Sequence, residues 1–400
     1  MAENNLKPKI RFKGFSDDWK QYNLGEIYKF QYGQFNNNPS NGGIYPVYGA
    51  NGIIGGYSGF NAENSVIIGH MGEYAGSVLW GKGRHFVTYN GTISVPKLEN
   101  INSKYGYYML YQLNINKICG GSGLPFLAYD KLQKINCFVP SLDEQIKISK
   151  VLSVLDSLIK LHQLKYDKLV NIKKAMLEKM FPKNGSKVPE IRFKGFTDDW
   201  EQYEFLNVFT MLQNNTLSRA DLNYEQGSAK CVHYGDVLIK FGECLDVKRE
   251  ELPFISDDTI VTKYKASFLQ NGDVIMADAA EDETVGKCCE IVGLDTQILI
   301  SGLHTIPFRH IEAFATGYLG YYMNSSAYHN QLLPLMQGTK VSSVSKSALR
   351  NTTITYPKSV EEQKKIGKYF TQLDNLIKLH QRKYNKLVNI KKAMFEKMFV

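Results

Sequence analysis

Two loops that combine glycine with polar residues carry side chains that suit contact with a nucleic acid. The first is Gly120–Phe126 and the second is Gln337–Lys346. Hydroxyl and lysine ammonium groups bind phosphates and the edges of bases. An ordinary surface loop can have the same composition, and that alternative stays open. The candidate residues in and beside the loops are Ser122, Lys131, Lys340, Ser342, Ser343 and Lys346.

A second set of candidates is scattered over the regions on either side of these loops. In the major groove arginine prefers guanine and asparagine prefers adenine, so such residues are weak indicators of base contact. The run Asn36-Asn37-Asn38 belongs to this set. Its other members are Asn51, Lys82, Arg84, His85, Lys248 and Arg249.

The sequence lacks the motifs of a self-sufficient catalyst. It has no Asn-Pro-Pro-Phe/Tyr motif, and Gly286-Lys287 is followed by Cys288 where a phosphate-binding loop needs Ser or Thr. The six cysteines form no Cys-x-x-Cys pair and are predicted to be buried or inert thiols. Asp278 and the acidic run 281–283 are predicted to form a solvated turn. We predict no catalytic residue, no metal and no cofactor bound by this chain.

The chain repeats itself in two blocks, while the segments between them differ. Residues 10–19 return as residues 191–200 with one difference, Ser16 for Thr197, at an offset of 181. Residues 155–181 return as residues 373–399 with 23 of 27 positions identical, at an offset of 218. This pattern indicates the tandem duplication of a whole module, and not a short solenoid repeat.

The second block predicts a long coiled-coil helix in each copy. A Ser-x-x-Glu capping box begins each helix, at Ser141–Glu144 and Ser359–Glu362. Apolar residues then follow the +4, +3 spacing of a coiled-coil seam. About 39 residues would span roughly 58 Å. We predict that the two helices pack antiparallel. The seam residues are Ile148, Leu152, Leu155, Ile159, His162, Tyr166, Leu169, Ile366, Phe370, Leu373, Ile377, His380, Tyr384 and Leu387.

Polar and basic residues on these helices have two interpretations. His162 and His380 are predicted to fix the register of the seam, as a buried Asn does in other coiled coils. Contact with a partner is the alternative. The paired lysines 173–174, 364–365 and 391–392 form either a solvated helix face or a surface that follows a DNA backbone.

Charge is distributed unevenly along the chain. The net charge is +9, which favours a polyanionic partner. Residues 142–187 carry +5 and residues 358–400 carry +7, but residues 188–357 carry −8. Any DNA-binding face in this acidic region must therefore be a local patch. No apolar run is long enough for a membrane helix, and the first nine residues are polar, so we expect a cytoplasmic protein.

The two differing regions are predicted to be mixed α/β domains, each with an irregular, loop-rich sheet. Residues 44–57, 65–69, 77–80 and 272–277 suggest strands joined by tight turns, and residues 105–114 and 314–322 suggest short helices. We predict two globular domains separated by two long antiparallel helices and related by a pseudo-two-fold axis. The predicted bounds are residues 1–141, 142–182, 183–357 and 358–400.

This layout resembles the specificity subunit of type I restriction–modification systems. The resemblance rests on Tyr45–Gly52, on the Phe-x-Asp-Asp-Trp segments at residues 15–19 and 196–200, and on the helix entries at residues 140–145 and 357–363. The second entry carries one extra residue. The resemblance extends over essentially the whole chain, and the duplicated blocks are its most specific part.

The resemblance implies a non-catalytic DNA-recognition subunit. Each differing region would be a target-recognition domain that reads one half of an asymmetric bipartite site, and the helices would fix the spacer. The implied partners are double-stranded DNA, two methyltransferase subunits and two restriction translocase subunits, with no membrane. S-adenosylmethionine would bind the methyltransferase subunit. The alternative from the residues alone is a coiled-coil adaptor whose domains bind protein or carbohydrate.

Overall fold

The computed structural model describes residues 6–35, 40–120, 124–183, 185–338 and 341–400. The chain divides into two compact units. The first unit comprises residues 1–164 and 381–400, and the second comprises residues 165–380. Both units combine helices with sheets. The predicted mixed α/β class is therefore confirmed.

The first unit contains eight strands and three short helices before the first long helix, in the part of the chain that the structure describes. They are β1 Lys20–Asn23, α1 Leu24–Ile27, β2 Tyr28–Tyr32, β3 Tyr45–Gly49, β4 Gly52–Tyr57, β5 Ala62–Gly69, β6 Val78–Val87, β7 Gly91–Pro96, α2 Ser103–Gln112, α3 Tyr129–Gln133 and β8 Asn136–Val139.

Six of these strands form one sheet in the order β2-β7-β5-β6-β3-β4. Neighbouring strands are antiparallel except β3 and β6, which are parallel. Strands β2 and β5 end, and β7 begins, at the same end of the sheet. There Thr92 pairs with both Ile68 and Tyr32. Strands β1 and β8 form a separate antiparallel pair.

The second unit is built from more and shorter elements. They are β9 Glu201–Glu204, α5 Phe205–Val208, β10 Phe209–Met211, β11 Leu222–Asn223, β12 Ala229–Val232, α6 Tyr234–Ile239, β13 Cys244–Asp246, β14 Phe254–Ile255, α7 Asp258–Val261, β15 Val274–Ala277, β16 Ala279–Ala280, β17 Cys288–Val292, β18 Ile298–Ser301, β19 Thr305–His310, α8 Leu319–Asn324, α9 Ser326–His329, β20 Ser342–Ser343, α10 Lys346–Leu349 and β21 Thr353–Tyr356.

The described strands of the second unit form a five-stranded sheet, a four-stranded sheet and two short strand pairs. The sheet orders are β10-β19-β15-β17-β13 and β11-β14-β12-β18, and the pairs are β16-β20 and β9-β21. The helix expected from residue 314 begins only at Leu319, because residues 314–318 form an irregular segment and a turn.

Two long helices complete the fold, and each contributes to both units. Helix α4 spans Leu142–Lys179 and α11 spans Val360–Met398, so they contain 38 and 39 residues. Gly367 lies within α11, where a Cβ would come within 3.0 Å of the Gly317 backbone. A close approach between helix and loop therefore explains this glycine better than a break in the helix does.

Each unit has an aromatic core in which the end of a long helix meets the start of a module. In the first unit the ring centroids of Trp19 and Phe399 are 6.3 Å apart. In the second unit those of Trp200 and Phe181 are 6.2 Å apart. All four side chains are buried. No helix among the described residues is long and apolar enough to cross a membrane.

Candidate nucleic-acid interface

A buried ion pair joins the start of each module to the start of its long helix. The Arg11 guanidinium donates two hydrogen bonds, of 2.7 and 2.8 Å, to the carboxylate of Glu144. Arg192 and Glu362 repeat this contact in the second unit at 2.7 and 2.9 Å. The side chains of both glutamates are 1% exposed. The capping-box prediction gives these glutamates a local role, whereas the structure uses them to hold distant parts of the chain together.

The next residue of each helix ties it to the sheet domain. The side-chain amide of Gln145 donates to the Pro140 carbonyl at 3.0 Å and accepts from the Asn102 backbone N–H at 2.9 Å. Gln363 donates to the Pro357 carbonyl at 2.8 Å and accepts from the Ala315 N–H at 2.9 Å. The start of each long helix is therefore held rigidly on its own domain.

The long helices run antiparallel in the first unit. Asp156 of α4 pairs with Lys391 of α11 at 2.5 Å, and Ile159 and Val388 line the same hollow one turn further along. As the residue number rises along α4 it falls along α11. The Tyr108 hydroxyl donates to the Asp156 carboxylate at 2.7 Å, so α2 is also fixed to this pair.

The second unit repeats this contact and adds a second carboxylate. Lys173 pairs with Asp374 at 2.6 Å and with Glu243 at 2.6 Å, and the Tyr321 hydroxyl donates to Asp374 at 2.7 Å. Burial raises the pKa of Asp374, and the neighbouring Glu243 raises it further. One ammonium group thus neutralises two crowded carboxylates in this unit.

In the first unit three loops meet at the end of the six-stranded sheet where β5 ends and β7 begins. The backbone N–H of His70, directly after β5, donates to the Asn90 carbonyl at 2.8 Å. The His70 carbonyl accepts from the Leu127 N–H at 2.8 Å, at the end of the glycine-rich loop. The Gly76 N–H donates to the Gly69 carbonyl at 2.8 Å, and this hydrogen bond closes the loop that follows β5. We call this contact between three loops the first loop junction.

The second unit builds an equivalent contact with different residues. The Asp278 N–H donates to the His304 carbonyl at 3.1 Å, and the Asp278 carbonyl accepts from the Val344 N–H at 2.9 Å. The Gly286 N–H donates to the Ala277 carbonyl at 2.9 Å, and this hydrogen bond closes the loop that contains Asp278. This second loop junction includes the β16-β20 pair. The same backbone scheme therefore holds different side chains in the two units.

Comparison with known proteins accounts for this duplicated arrangement. The type I restriction modification DNA specificity domain matches the chain twice, over residues 16–171 and 197–389. The chain belongs to the type I restriction–modification specificity subunits. Two matches on one chain are what a duplicated module requires. Membership of this family confirms DNA recognition over the adaptor alternative.

Individual relatives support this membership. The chain is 25% identical over 352 residues to the MjaVIII specificity subunit of Methanocaldococcus jannaschii, which covers 83% of the chain and 77% of that relative. It is 32% identical over 160 residues to the EcoprrI specificity subunit of Escherichia coli, spanning 37% of the chain and only 39% of that relative. The crystal structure of an S subunit from M. genitalium shares the fold, with a TM-score of 0.62, 13% identity and 99% coverage of both chains.

Specificity subunits are the non-catalytic part of these systems, and their partner subunits carry the enzymatic activities. Among the described residues of this specificity subunit no three His, Cys, Asp or Glu side chains are placed to hold a metal ion. The cysteines have no disulfide partner, and four of the six are buried. Burial raises the pKa of the Cys289 thiol to about 12, which keeps it protonated.

The predicted DNA-contacting residues have different environments in this specificity subunit. Two of them, Ser122 and Lys340, lie outside the described residues, as does the run at residues 36–38. Ser342 and Lys346 are half-buried. The exposed ones are Asn51, Lys82, Arg84, Lys131, Lys248, Arg249 and Ser343.

One predicted contact residue is buried. His85 is 0% exposed, and its ring nitrogens lie 3.0 Å from the Ser65 hydroxyl and 2.8 Å from the Gly83 carbonyl. Successive residues of a strand face opposite sides, so Arg84 points outward while His85 enters the core. The His85 side chain is therefore not available for a DNA contact.

Several exposed candidates already have an acidic neighbour. Arg84 lies 3.6 Å from Glu63, and Arg249 lies 3.1 Å from Asp246. Such exposed pairs are weak, so either arginine can exchange its partner for a phosphate at little cost.

The predicted seam residues are buried at the start of each long helix and half-buried further along it. Ile148, Leu152, Ile366 and Phe370 are at most 2% exposed. His162 and His380 are half-buried, and so are the remaining seam residues apart from Leu155 and Leu373, which are buried. The role of the histidines in fixing the register stays a prediction. Lys174, Lys392, Lys364 and Lys365 are exposed, whereas Lys173 and Lys391 are held in ion pairs.

Proposed function

We propose that each unit reads one half of an asymmetric bipartite site on double-stranded DNA, and that the long helices set the spacer between the halves. One observation carries the proposal. The buried ion pair is the same in both units, as Arg11–Glu144 and Arg192–Glu362, and its residues recur at the two repeat offsets. The loop junctions, in contrast, carry different side chains in the two units. A constant frame with differing contact loops suits two readers of different sequences.

The helices also support a separation suited to two half-sites. Half-sites on one face of DNA lie about 34 Å apart, and a helix of about 38 residues spans roughly 57 Å. A pair of such helices is long enough to act as a ruler. In this proposal the two recognition domains are residues 1–141 and 183–357. The two helices that set the spacer are residues 142–182 and 358–400.

We infer that methyltransferase subunits dock on the outer faces of the helices. In the first unit Val154, Leu158 and Leu161 of α4 are 52%, 37% and 43% exposed. In the second unit Leu376 and Leu379 of α11 are both 43% exposed. Apolar residues at helical spacing on a solvated face are typical of a docking surface. Because the stripe occurs in both repeats, we expect two methyltransferase subunits.

The remaining partners follow from the same family assignment. We expect two restriction translocase subunits to join the complex, and S-adenosylmethionine to bind in the methyltransferase subunits. The cytoplasmic location stays a prediction from the sequence. The acidic second region requires that its DNA contacts be concentrated in a local patch, because its average charge repels the phosphate backbone.

The proposal is tested by mapping methylated adenines in the DNA of cells that express this chain with its methyltransferase subunit. A single asymmetric bipartite motif that is absent without this chain is the expected result. A soluble complex that produces no motif would contradict the proposal. Control cells express the methyltransferase subunit alone.

A domain exchange tests the assignment of the halves. Residues 20–139 are replaced by the corresponding region of another family member, so that both Arg11 and Glu144 stay in place. One half of the motif should change, and the other half and the spacer should not. A change in both halves would show that the units do not read independently.

A further inference from the structure

The first loop junction presents an aromatic surface. The ring of Tyr32, at the end of β2, stacks on Tyr129 at 4.7 Å and meets the His70 ring edge-on at 4.6 Å. The Tyr129 hydroxyl is 2.9 Å from the Thr92 hydroxyl, which fixes its ring. Tyr32 is 55% exposed, so the surface is open to solvent on its side.

The imidazole of His70 also has a buried nitrogen, Nδ1, that forms no hydrogen bond with the described residues. The residue is 8% exposed, and its Nδ1 is buried without a hydrogen-bond partner among the described residues. A buried polar atom that lacks a partner costs free energy, so the position of His70 behind the two tyrosine rings is maintained at the expense of stability. Burial also lowers the pKa of His70, so the ring is neutral and each nitrogen has a single role.

The second loop junction presents charged groups at the equivalent positions. His304 Nδ1 lies 3.2 Å from the Asp278 carboxylate, and their side chains are 49% and 22% exposed. Lys346 begins α10 as Tyr129 begins α3, and its ammonium group donates to the Leu212 carbonyl at 2.5 Å, just after β10. Burial lowers the pKa of Lys346.

The backbone of His304 is unusual for its residue type. Its φ of +54° lies in the left-handed region, which residues other than glycine seldom adopt. The Tyr234 ring packs against the imidazole at 5.3 Å, which holds the side chain next to Asp278. The imidazole and the carboxylate are thus positioned together at the surface of the junction.

We propose that the two loop junctions are the surfaces that read bases, the first through Tyr32 and Tyr129, whose rings the buried His70 positions, and the second through Asp278, His304 and Lys346. This inference rests on the proposed function and names the residues that discriminate sequence. The two junctions share a backbone scheme, so they can approach DNA alike. The first presents aromatic rings and the second presents charged groups, so they recognise different bases.

The chemistry of each junction indicates a class of base pair. Aromatic rings contact the thymine methyl group, so the first junction favours an A·T pair. A carboxylate accepts from the cytosine amino group and an ammonium group donates to guanine, so the second junction favours a G·C pair. The half-sites read by the two units should differ accordingly.

The test uses the full chain in complex with its methyltransferase subunit. Binding is measured by competition on duplexes in which each position of the mapped motif is varied in turn. Tyr32→Ala removes the exposed ring of the first junction, with Tyr111→Ala as a control of similar exposure, 51%, in α2 of the same unit. His304→Asn keeps a residue that tolerates positive φ, and His310→Asn at the other end of β19 is its control.

Tyr32→Ala should weaken discrimination about tenfold or more at one A·T position in one half-site. His304→Asn should do so at one G·C position in the other half-site, and neither control should change a preference. Tyr129→Leu and Asp278→Asn provide a second variant of each junction if the first unfolds. Unchanged preferences, or a uniform loss of affinity at every sequence, would overturn the inference.

Failure of the inference is separable from failure of the proposed function. If the complex with the unaltered chain yields no bipartite motif, the proposed function is wrong and the inference falls with it. If the motif appears and all four junction variants retain its base preferences, only the assignment to the loop junctions is wrong.

Discussion

Arg11 and Glu144, 133 residues apart in sequence, are joined by two parallel hydrogen bonds of 2.7 and 2.8 Å. The glutamate is 1% exposed and the arginine side chain 13% exposed. Arg192 and Glu362 repeat the contact. The pair connects the first residues of each module with the start of the long helix of that module.

Replacing Arg11 with Met should strongly destabilise the first unit. The substitution leaves the Glu144 carboxylate buried without its cation, and breaking a buried pair costs about 3 kcal/mol or more. Urea unfolding with hydrogen exchange measured on α2 peptides reports this unit. Lys7→Met, which breaks the exposed pair with Asp18, is the control and should cost under about 1 kcal/mol. Equal effects of the two variants would show that burial of the pair contributes nothing.

Phe399→Ala should loosen the first unit, although it lies at the end of the chain. The ring packs on Trp19 and stacks on Tyr105 at 5.9 Å, and removing a buried phenyl group costs about 3 kcal/mol. Phe181→Ala is the matched variant and should loosen the second unit. Hydrogen exchange of α2 and α8 peptides separates the effects. Loosening of α8 by Phe399→Ala would contradict the division into two units.

The second unit should lose stability as the pH rises through neutrality because of Glu290. Burial raises the pKa of Glu290 to about 7, although the N–H groups of Gly317 and Gly320 donate to its carboxylate at 2.6 and 2.9 Å. A carboxyl whose folded-state pKa exceeds its unfolded value of about 4.3 stabilises the fold fully below about pH 4.3. That contribution is lost as the pH rises through about 7.

Between pH 5 and 8 this group should therefore change the free energy of unfolding by about 2 to 3 kcal/mol. Glu290→Gln should flatten the profile in that range, and the exposed Glu283→Gln should leave it as it is. Urea midpoints of the second unit at several pH values measure both. Parallel profiles for Glu290→Gln and the unaltered chain would mean that Glu290 is ionised throughout.

Lengthening both long helices by one heptad should lengthen the spacer of the DNA motif. Seven residues add about 10 Å to a helix, which corresponds to about three base pairs. The insertions belong after Leu161 and after Leu379, which are equivalent positions of the repeat, so that the antiparallel seam stays in register. Methylome mapping should give the original half-sites with a longer spacer. Altered half-sites with an unchanged spacer would rule out the ruler.

The frame of this protein can be predicted from the sequence because its repeat fixes equivalent positions. The spacing of Ile148, Leu152 and Leu155 predicts the buried side of α4, and the same spacing holds for α11. The Arg11–Glu144 pair escapes prediction, although both residues are identical between copies at the two repeat offsets. Glu144 satisfies a local capping pattern, and a local pattern cannot reveal a partner 133 residues away.

The loop residues are harder to predict because their environment depends on strand pairing. Lys82 and Arg84 are exposed while His85 is buried, and only the register of β6 against β5 decides which residue faces outward. Asp278 and His304 are not among the predicted contacts, since each becomes a candidate only when three distant loops meet. Lys346, predicted from composition, does lie at the second loop junction.

The closure of the first unit by Phe399 has a consequence for biosynthesis. The second unit is one continuous stretch, residues 165–380, and all of it is synthesised before residues 381–400, the last segment of the first unit. At about 5 to 20 residues per second, the amino-terminal segment waits roughly ten seconds or more for its final aromatic side chains. The chain therefore contains every residue of the second unit before it contains every residue of the first, and the core of the first unit can close only after Phe399 has been added.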